Sequence, residues 1–265
     1  MKLIILAAGY ATRLYPLTLN QPKPLLSVAG KPMLEHVLDN ISTIRDIDQA
    51  YIVTNAKFVS HFEKWAESYR PDLHFRFTIV DDKSTDDSNK LGAIGDMHLV
   101  LTQYEIKDDI IVVGGDNLFS EDLAEFGEYC KTKNAPVTGV YDVGDLEQIK
   151  KYNAIVIDEK NRITYFEEKP KEPQSTLTGI ALYYYPKWVL PLIHQYIEDG
   201  NNPDQPVAWS NGSTRACRFM CGKCRASGMT SAQSRHWKKR TASLAANLTD
   251  DKRIIYLHAH QQSRV

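Results

Sequence analysis

Two cations follow the first apolar stretch of this chain, and a carboxylate follows a later one. Arg13 and Lys23 come after residues 3–6 (LIIL), and Asp116 comes after residues 110–113 (IIVV). Arginine offers a planar fork of donors and lysine a mobile point charge, so both can bind phosphate oxygens. A carboxylate is a hard oxygen ligand that suits Mg²⁺. Together these residue types would serve phosphate chemistry, although a tight turn with solvated cations and a turn-forming aspartate would also explain them.

Small residues separate the first apolar stretch from the first cation. The sequence Ala7-Ala8-Gly9 would let the backbone come close to a ligand, and successive N–H groups there can cradle phosphate oxygens. The segment has no Gly-Lys-Ser/Thr, so it is not a Walker loop. It also lacks Gly-x-Gly-x-x-Gly, which argues against a nicotinamide cofactor.

Short apolar runs alternate with helical patterns through the first part of the chain. We predict strands at 3–6, 51–53, 74–80, 110–113 and 136–141. We predict helices from 32 and at 58–69, 91–104 and 121–131. Such alternation indicates right-handed βαβ units and therefore a doubly wound, mostly parallel α/β sheet. Ligands of such sheets bind beyond the carboxyl ends of the strands, which is where the cations and Asp116 would lie.

The alternation of predicted strands and helices ends beyond Val143. Strands are predicted at 154–157, 162–167 and 179–185, with little room for helices between them, and a helix at 186–198. This pattern predicts a smaller antiparallel addition to the parallel sheet.

Length and composition favour one large globular domain, or one domain with an appendage. The chain has 265 residues, of which 43% are hydrophobic. Because no apolar run approaches the ~20 residues that span a bilayer, we expect no membrane partner. The opening apolar run is shorter than the about 7–15 residues of a signal peptide, so we expect a cytoplasmic protein. Four cysteines do not resemble a disulfide framework for a chain of this length.

A longer string resembles the signature of the sugar-phosphate nucleotidyltransferases, the glucose-1-phosphate thymidylyltransferase type especially. In "LAAGYATRLYPLTLNQPKPLLSVAGKPMLEHVL" a glycine-bearing loop with Thr-Arg is followed by Pro-Lys and then Lys-Pro-Met. The similarity continues in family order through "LGAIGD", "VVGGDN", "FEEKP" and "GIALYYYP", as far as about Pro206. It implies a Rossmann-like nucleotidyltransferase fold. It also implies a reaction that joins a nucleoside triphosphate to a sugar 1-phosphate and releases pyrophosphate.

The resemblance also implies roles for individual residues. Arg13 would steady the departing pyrophosphate, Lys23 would touch the α-phosphate and the attacking phosphate, and Asp116 would bind Mg²⁺, the expected cofactor. The implied nucleotide-binding residues are Ala7, Ala8, Gly9, Thr12, Arg13, Leu91 and Gly92, the last two beside the nucleobase. The implied sugar-phosphate residues are Asn153, Glu168, Lys169, Thr178 and Gly179.

Two of the sugar-phosphate residues have distinct implied contacts, and one departs from the pattern. Glu168 would accept from sugar hydroxyls, and Lys169 would bind the phosphate. Asn153 stands where relatives often carry glycine, a change that asparagine tolerates because it adopts left-handed backbone conformations readily.

The substrates stay open at this stage. The resemblance favours thymidine triphosphate with glucose 1-phosphate, while mannose 1-phosphate and choline phosphate remain alternatives. A homo-oligomer also remains open, and a nucleic-acid partner is not expected.

Residues 207–265 do not resemble the family. They carry 11 Lys+Arg and 2 Asp+Glu, a net charge of +9, whereas residues 1–206 carry 21 and 31, a net charge of −10. The family continues at this point with a Trp-Tyr-Asp-Ile-Gly stretch, whose aspartate is the second metal carboxylate. We therefore interpret residues 1–206 as a nucleotidyltransferase domain that is incomplete at its C-terminal end. We predict that residues 207–265 form a disordered basic tail.

The tail also offers an alternative function. Cys217, Cys221, Cys224 and His236 have spacings that a zinc site could use, and the basic charge would suit nucleic acid. If the tail is read out of frame, both patterns are accidental, and we expect neither function. A nucleotide-binding relic of low catalytic activity is a further alternative, because the second metal carboxylate is missing.

A single-base deletion after the Pro206 codon would explain the tail. Residues 206–212 can be encoded so that the shifted frame reads Gly-Arg-Leu-Val-Gln-Trp, and residues 225–232 so that it reads Gly-Ile-Trp-Tyr-Asp-Ile-Gly. The aspartate codon is forced to be GAC, because the Met229 codon ends in G and the Thr230 codon begins with AC. Sequencing the gene through the Pro206 codon should find the family-like frame; an in-frame gene without one would refute the prediction.

Overall fold

A computed structural model of the chain describes residues 1–69, 71–119, 122–204 and 220–223. Within these ranges the α-helices α1 to α6 are Met33–Ile41, Val59–Ser68, Gly92–Gln103, Ala124–Lys131, Leu146–Ile149 and Leu190–Glu198. The strands β1 to β11 are Lys2–Leu6, Ser27–Val28, Lys31–Pro32, Gln49–Thr54, Arg76–Asp81, Ile110–Gly114, Val137–Asp142, Asn153–Ile157, Ile163–Glu168, Leu177–Tyr185 and Met220–Lys223. Short 3-10 turns occur at Thr12–Leu14, Lys23–Leu25 and Lys187–Val189.

Seven of these strands form one central sheet in the order β11-β7-β10-β6-β1-β4-β5. β1 pairs in parallel with β4 and β6, β4 with β5, and β7 with β11. β10 is antiparallel to both of its neighbours, β6 and β7. The prediction of an α/β fold with a mostly parallel sheet is therefore confirmed.

The sequence-based grouping of β10 with the smaller antiparallel addition was wrong. β8 and β9 form a separate antiparallel pair, whereas β10 lies inside the central sheet. Leu182 and Tyr184 enter the core on one face of the sheet, and Tyr183 and Tyr185 enter the core on the other. A strand buried on both faces belongs in the interior of a sheet, and the run of large apolar residues at its end is consistent with that.

The second half also contains a helix that the sequence did not predict. The single-turn helix α5 lies between β7 and β8, in a stretch to which the sequence analysis assigned no element. The carboxylate of Asp145 caps it by accepting from the N–H groups of Glu147 and Gln148.

Helices cover both faces of the sheet because successive strand residues point to opposite sides. In β1, Leu3 and Ile5 face a core that α1, α2 and α4 complete, and Ile4 faces a core that α3 and α6 complete. All three side chains are fully buried. This two-sided burial explains why β1 reads as a continuous apolar run.

The chain crosses to opposite sides of β1. The connection through α1 leads from β1 to β4 on one side, and the connection through α3 leads from β5 to β6 on the other. The carboxyl ends of β1 and β6 therefore form a topological switch point, where open α/β sheets have their ligand crevice. The segments that follow Leu6 and Gly114 both start at this point.

The structure also bears on two other parts of the sequence analysis, namely membrane-spanning helices and the tail of residues 207–265. No helix in the described part of the chain is both long and apolar enough to cross a bilayer. Of the tail, the structure describes strand β11, which pairs with β7. Cys221 of the zinc pattern lies in β11, whereas Cys217, Cys224 and His236 lie outside the described residues, as do the other predictions for residues 207–265.

Candidate active site

The loop that follows β1, residues 7–14 and called here the β1 loop, is tied to its surroundings by side-chain hydrogen bonds. The Asn55 amide Nδ2 donates to the Ala8 carbonyl oxygen at 2.8 Å, and Thr18 Oγ1 donates to the Ala11 carbonyl oxygen at 2.7 Å. Both donors are fully buried. These bonds fix the backbone of the loop at the edge of the sheet before any ligand binds.

The exposed part of the β1 loop offers an open surface and a positive charge. A Cβ atom added at Gly9 would meet nothing within 4 Å, so the space beside this glycine is empty of protein. Thr12 and Arg13 are exposed in the following 3-10 turn, while Leu14 is buried beneath them. Within the described residues, Arg13 makes no ion pair or side-chain hydrogen bond, so its guanidinium is available to an anion.

Lys23 and Asp116 contact each other, although they lie far apart in the sequence. The Lys23 ammonium Nζ is 2.9 Å from Asp116 Oδ2. The lysine side chain is 11% exposed and the carboxylate 37% exposed, so the pair is partly desolvated and its charges interact more strongly than in water. The structure thus brings together two of the three predicted catalytic residues.

The turn after β6 is packed tightly against β1 and β10. The Gly115 N–H donates to the Leu6 carbonyl oxygen at 2.8 Å, and a Cβ at Gly115 would meet that oxygen at 3.3 Å. Asn117 Nδ2 donates to the Ala181 carbonyl oxygen at 2.9 Å. Asp116 therefore lies between two anchored neighbours, and the hydrogen bonds of Gly115 and Asn117 fix its position at the switch point.

The start of α3, where Leu91 and Gly92 lie, is covered by the last residues before the tail. The Ile94 N–H donates to the Pro203 carbonyl oxygen at 2.7 Å. Gly92 has φ +78°, and a Cβ there would approach Asp204 Oδ1 to 2.8 Å. This close approach and the left-handed backbone explain why a glycine is needed at this position.

Three of the predicted sugar-phosphate residues are joined by hydrogen bonds. Asn153 Oδ1 accepts from the Gly179 N–H at 2.7 Å and from Thr178 Oγ1 at 3.2 Å, while Asn153 Nδ2 donates to the Gly179 carbonyl oxygen at 3.2 Å. Glu168 is the partner of Asn153 in the β8–β9 pair, and both Glu168 and Lys169 are exposed. All five predicted residues therefore belong to one neighbourhood where β8, β9 and β10 meet.

Strand β10 connects this neighbourhood to the Lys23–Asp116 pair. Ala181, which accepts the hydrogen bond from Asn117, lies in the same strand as Gly179 and only two residues away. Because a strand rises about 3.3 Å per residue, Gly179 and Ala181 are roughly 7 Å apart along β10.

Sequence reasoning missed a buried polar network beneath the β1 loop. Tyr10, Asp82, Ser84 and Asp96 are each at most 6% exposed. Burial and the neighbouring Asp82 carboxylate raise the pKa of Asp96 to about 8. Burial also raises the pKa of Asp82, despite hydrogen bonds from Ser84 that lower it. One signal was available: Asp96 interrupts the buried face of α3.

The carboxylates around the switch point set limits on metal binding. Among the described residues, no group of three or more His, Cys, Asp or Glu side chains could hold a metal ion. Asp116 offers a single carboxylate, which fits Mg²⁺ because this ion is usually bound by one or two protein carboxylates together with substrate phosphates.

Comparison with known proteins gives the family. Residues 2–207 match the family model described as "Nucleotidyl transferase". The "Bifunctional protein GlmU" of Methanocaldococcus jannaschii is 29% identical over 195 residues, which are 74% of this chain and 42% of the relative. A Sulfolobus acidocaldarius protein provisionally described as a mannose-1-phosphate guanyltransferase is 33% identical over 192 residues, which are 71% of this chain and 49% of the relative. The chain thus spans about half the length of these relatives.

A solved structure supports the fold. A Bacillus anthracis protein, provisionally described as a glucose-1-phosphate thymidylyltransferase and solved with sucrose, superposes with a TM-score of 0.63 at 24% identity. The match covers 90% of this chain and 94% of the other. The family expected from the motifs is therefore confirmed: this chain belongs to the nucleotidyl transferase family.

Proposed function

We propose that this chain transfers a nucleotidyl group from a nucleoside triphosphate to a sugar 1-phosphate, releasing pyrophosphate and giving an NDP-sugar. The observation that carries this proposal is the contact between Lys23 and Asp116 at the switch point of the sheet. A cation beside a carboxylate there can receive a phosphate and a divalent ion together. The exposed Arg13 and the open space beside Gly9 adjoin the same end of β1.

The reaction needs positioning and charge neutralisation more than covalent chemistry by the protein. An oxygen of the sugar phosphate attacks the α-phosphorus in line, a new P–O bond forms, and the bond to pyrophosphate breaks. We assign Lys23 to the α-phosphate and the attacking phosphate, because both are anions that repel each other. We assign Arg13 to the departing pyrophosphate, on which negative charge accumulates.

Backbone and base contacts complete the nucleotide site in this proposal. N–H groups of Ala7, Ala8 and Gly9, with Thr12, would face the triphosphate. Leu91 and Gly92 would lie beside the nucleobase at the start of α3.

We assign Mg²⁺ to Asp116. When bound, the ion would neutralise charge on the triphosphate and orient it. The Asp116 carboxylate would leave Lys23 for the ion, and Lys23 would then be free to bind phosphate.

The sugar phosphate is assigned to the region where β8, β9 and β10 meet. Glu168 would accept hydrogen bonds from sugar hydroxyls, and Lys169 would bind the phosphate. Thr178 and Gly179 would line the pocket. The Asn153 amide is already hydrogen-bonded to the Gly179 backbone, so we assign it to shaping this wall.

The substrates within this class remain to be identified by assay. Thymidine triphosphate with glucose 1-phosphate is our first pair. Guanosine triphosphate with mannose 1-phosphate follows from the description of the Sulfolobus relative. Cytidine triphosphate with choline phosphate is the alternative outside sugar chemistry. We propose that the reaction takes place in the cytoplasm, and that the protein can form a homo-oligomer.

Pyrophosphate release from these pairs tests the function. The Lys23→Ala variant should lose roughly 10²–10³ of the turnover rate, because a group that neutralises charge in the transition state is removed. Lys64→Ala, which removes an exposed lysine on α2, is the matched control and should keep the parental rate. Release from none of the pairs by a frame-restored protein would reject the proposal.

The tail should limit the activity of the chain as written. We expect strongly reduced turnover, because the sequence after Pro206 lacks the family's Trp-Tyr-Asp-Ile-Gly stretch with the second metal carboxylate. We expect low solubility, because that sequence does not resemble the final strand and helix of the family. Turnover and size-exclusion profiles of the chain and a frame-restored version, measured side by side, check this. Equal turnover by the two proteins would show that the tail does no damage; nucleotide binding without turnover in the chain as written would support the relic alternative.

Gly9→Ala separates folding from ligand binding. The added methyl meets no protein atom and φ at Gly9 lies outside the left-handed region, so stability should change by no more than about 1 kcal/mol. Nucleotide affinity should fall at least tenfold, because the methyl fills the space in which a phosphate approaches the backbone. Thermal melting and calorimetric titration with nucleoside triphosphate give the two readouts. Unchanged affinity would place the triphosphate elsewhere.

A further inference from the structure

Beneath the β1 loop, a chain of hydrogen bonds runs from α3 to the loop. Tyr10 Oη and Ser84 Oγ are 3.2 Å apart, and Ser84 Oγ donates to Asp82 Oδ1 at 2.7 Å. The Ser84 N–H donates to the same carboxylate oxygen at 2.7 Å. The Asp82 and Asp96 carboxyl groups, the second of them on α3, contact each other. A buried side chain on α3 is thereby connected to the loop that faces the ligand crevice.

The surroundings of Asp96 suit a protonated carboxyl group. Its Oδ1 atom is buried and has no hydrogen-bond partner, whereas a buried carboxylate normally accepts several hydrogen bonds. The ionisable groups of the described chain that raise its pKa are Asp82 and Asp204, both acids. Two carboxyl groups in contact share one proton, because like charges this close do not both ionise readily.

Among residues 1–69, 71–119 and 122–204, the other charged groups around the network supply no positive charge to Asp96. The Asp81 carboxylate raises the pKa of Asp82. The carboxylates of Asp82, Asp86 and Asp87 raise the pKa of Tyr10. The Lys90 ammonium is 3.5 Å from Asp87 and 3.4 Å from Asp204, so it pairs with these outer carboxylates.

We propose that Asp96 is a positioning residue, whose carboxyl proton bonds to Asp82 and so fixes the β1 loop through Ser84 and Tyr10. This proposal rests on the proposed function, since the β1 loop is the part assigned to the triphosphate. When Asp96 loses its proton, the two carboxylates repel each other, the Ser84 contact shifts and the tether to Tyr10 loosens. Asp96 touches no reacting atom and acts only through the loop.

The sign of the pH effect follows from the direction of the shift. The pKa of Asp96 rises from 3.8 to about 8 on folding. Between these values the folded protein holds a proton that the unfolded chain has released, so stability falls as the pH rises through this window. Above about pH 8 this loss is complete, and order in the β1 loop should fall with it.

Asp96→Asn supplies the Asp82 contact with an N–H donor at every pH. The variant should melt roughly 4–10 °C higher than the parent near pH 8, with a difference that shrinks toward acid pH. Between about pH 7 and pH 9, hydrogen exchange of the β1 loop in the parent should accelerate about fivefold beyond the intrinsic change. That factor corresponds to one ordinary hydrogen bond. The loop in Asp96→Asn should show no such acceleration.

Two further variants keep the test decisive. Tyr10→Phe cuts the tether, so its loop should exchange fast at every pH and lose the pH dependence. Asp72→Asn, which changes an exposed acid away from the network, should follow the parent. Parallel pH curves for the parent and Asp96→Asn, or normal loop protection in Tyr10→Phe, would overturn the proposal.

The readouts distinguish this inference from the proposed function. Melting and hydrogen exchange need no nucleotide, so they judge the role of Asp96 even if no transfer is found. In the transfer assay, KM for the triphosphate should rise above about pH 8 in the parent and stay constant in Asp96→Asn. The pH dependence of kcat should be the same in the two proteins. If the β1 loop shows the expected pH-dependent protection but no nucleotide is transferred, the proposed function is rejected and the role of Asp96 stands. If nucleotide is transferred but protection of the loop does not depend on Asp96, only the role of Asp96 is rejected.

Discussion

The hydrogen bond from the Gly115 N–H to the Leu6 carbonyl oxygen joins the two strand ends on which the candidate site depends. β1 and β6 are parallel neighbours, and Leu6 pairs with Gly114, so both strands end at the same level. Two loops from distant parts of the sequence therefore start side by side. Glycine at 115 permits this approach, because a Cβ there would press on the Ile5 and Ala7 side chains at 3.3 Å.

The pairing of Lys23 with Asp116 lets opposite charges share a partly buried cleft before substrates bind. Each charge offsets the desolvation of the other, and a lone charge in the same place would be costly. In the proposed reaction, phosphate and a divalent ion would replace the two partners one for one. The polar groups need little rearrangement, which is the condition under which electrostatic stabilisation is most effective.

The sequence was informative wherever one local pattern decided the outcome. The apolar run in β1 and the amphipathic pattern of α1 predicted those elements, and motif order placed Lys23 and Asp116 at the same edge. β10 was misassigned because its neighbours in the sheet, β6 and β7, are distant in sequence. The Asp96 network was missed for the same reason: it joins α3, the segment after β5 and the β1 loop through side chains alone. The position of Asp96 in the pattern of α3 indicates that this acid is buried, but it does not indicate which side chain the acid contacts.

The docking of Pro203 on the start of α3 fixes where the chain leaves the described domain. The Ile94 N–H holds the Pro203 carbonyl oxygen beside the first turn of α3, and Gly92 allows Asp204 to lie against the helix. If the nucleotide binds at the start of α3 as proposed, the polypeptide that follows Asp204 begins beside the bound nucleotide. Its length and charge would then bear directly on the entry and exit of anionic molecules.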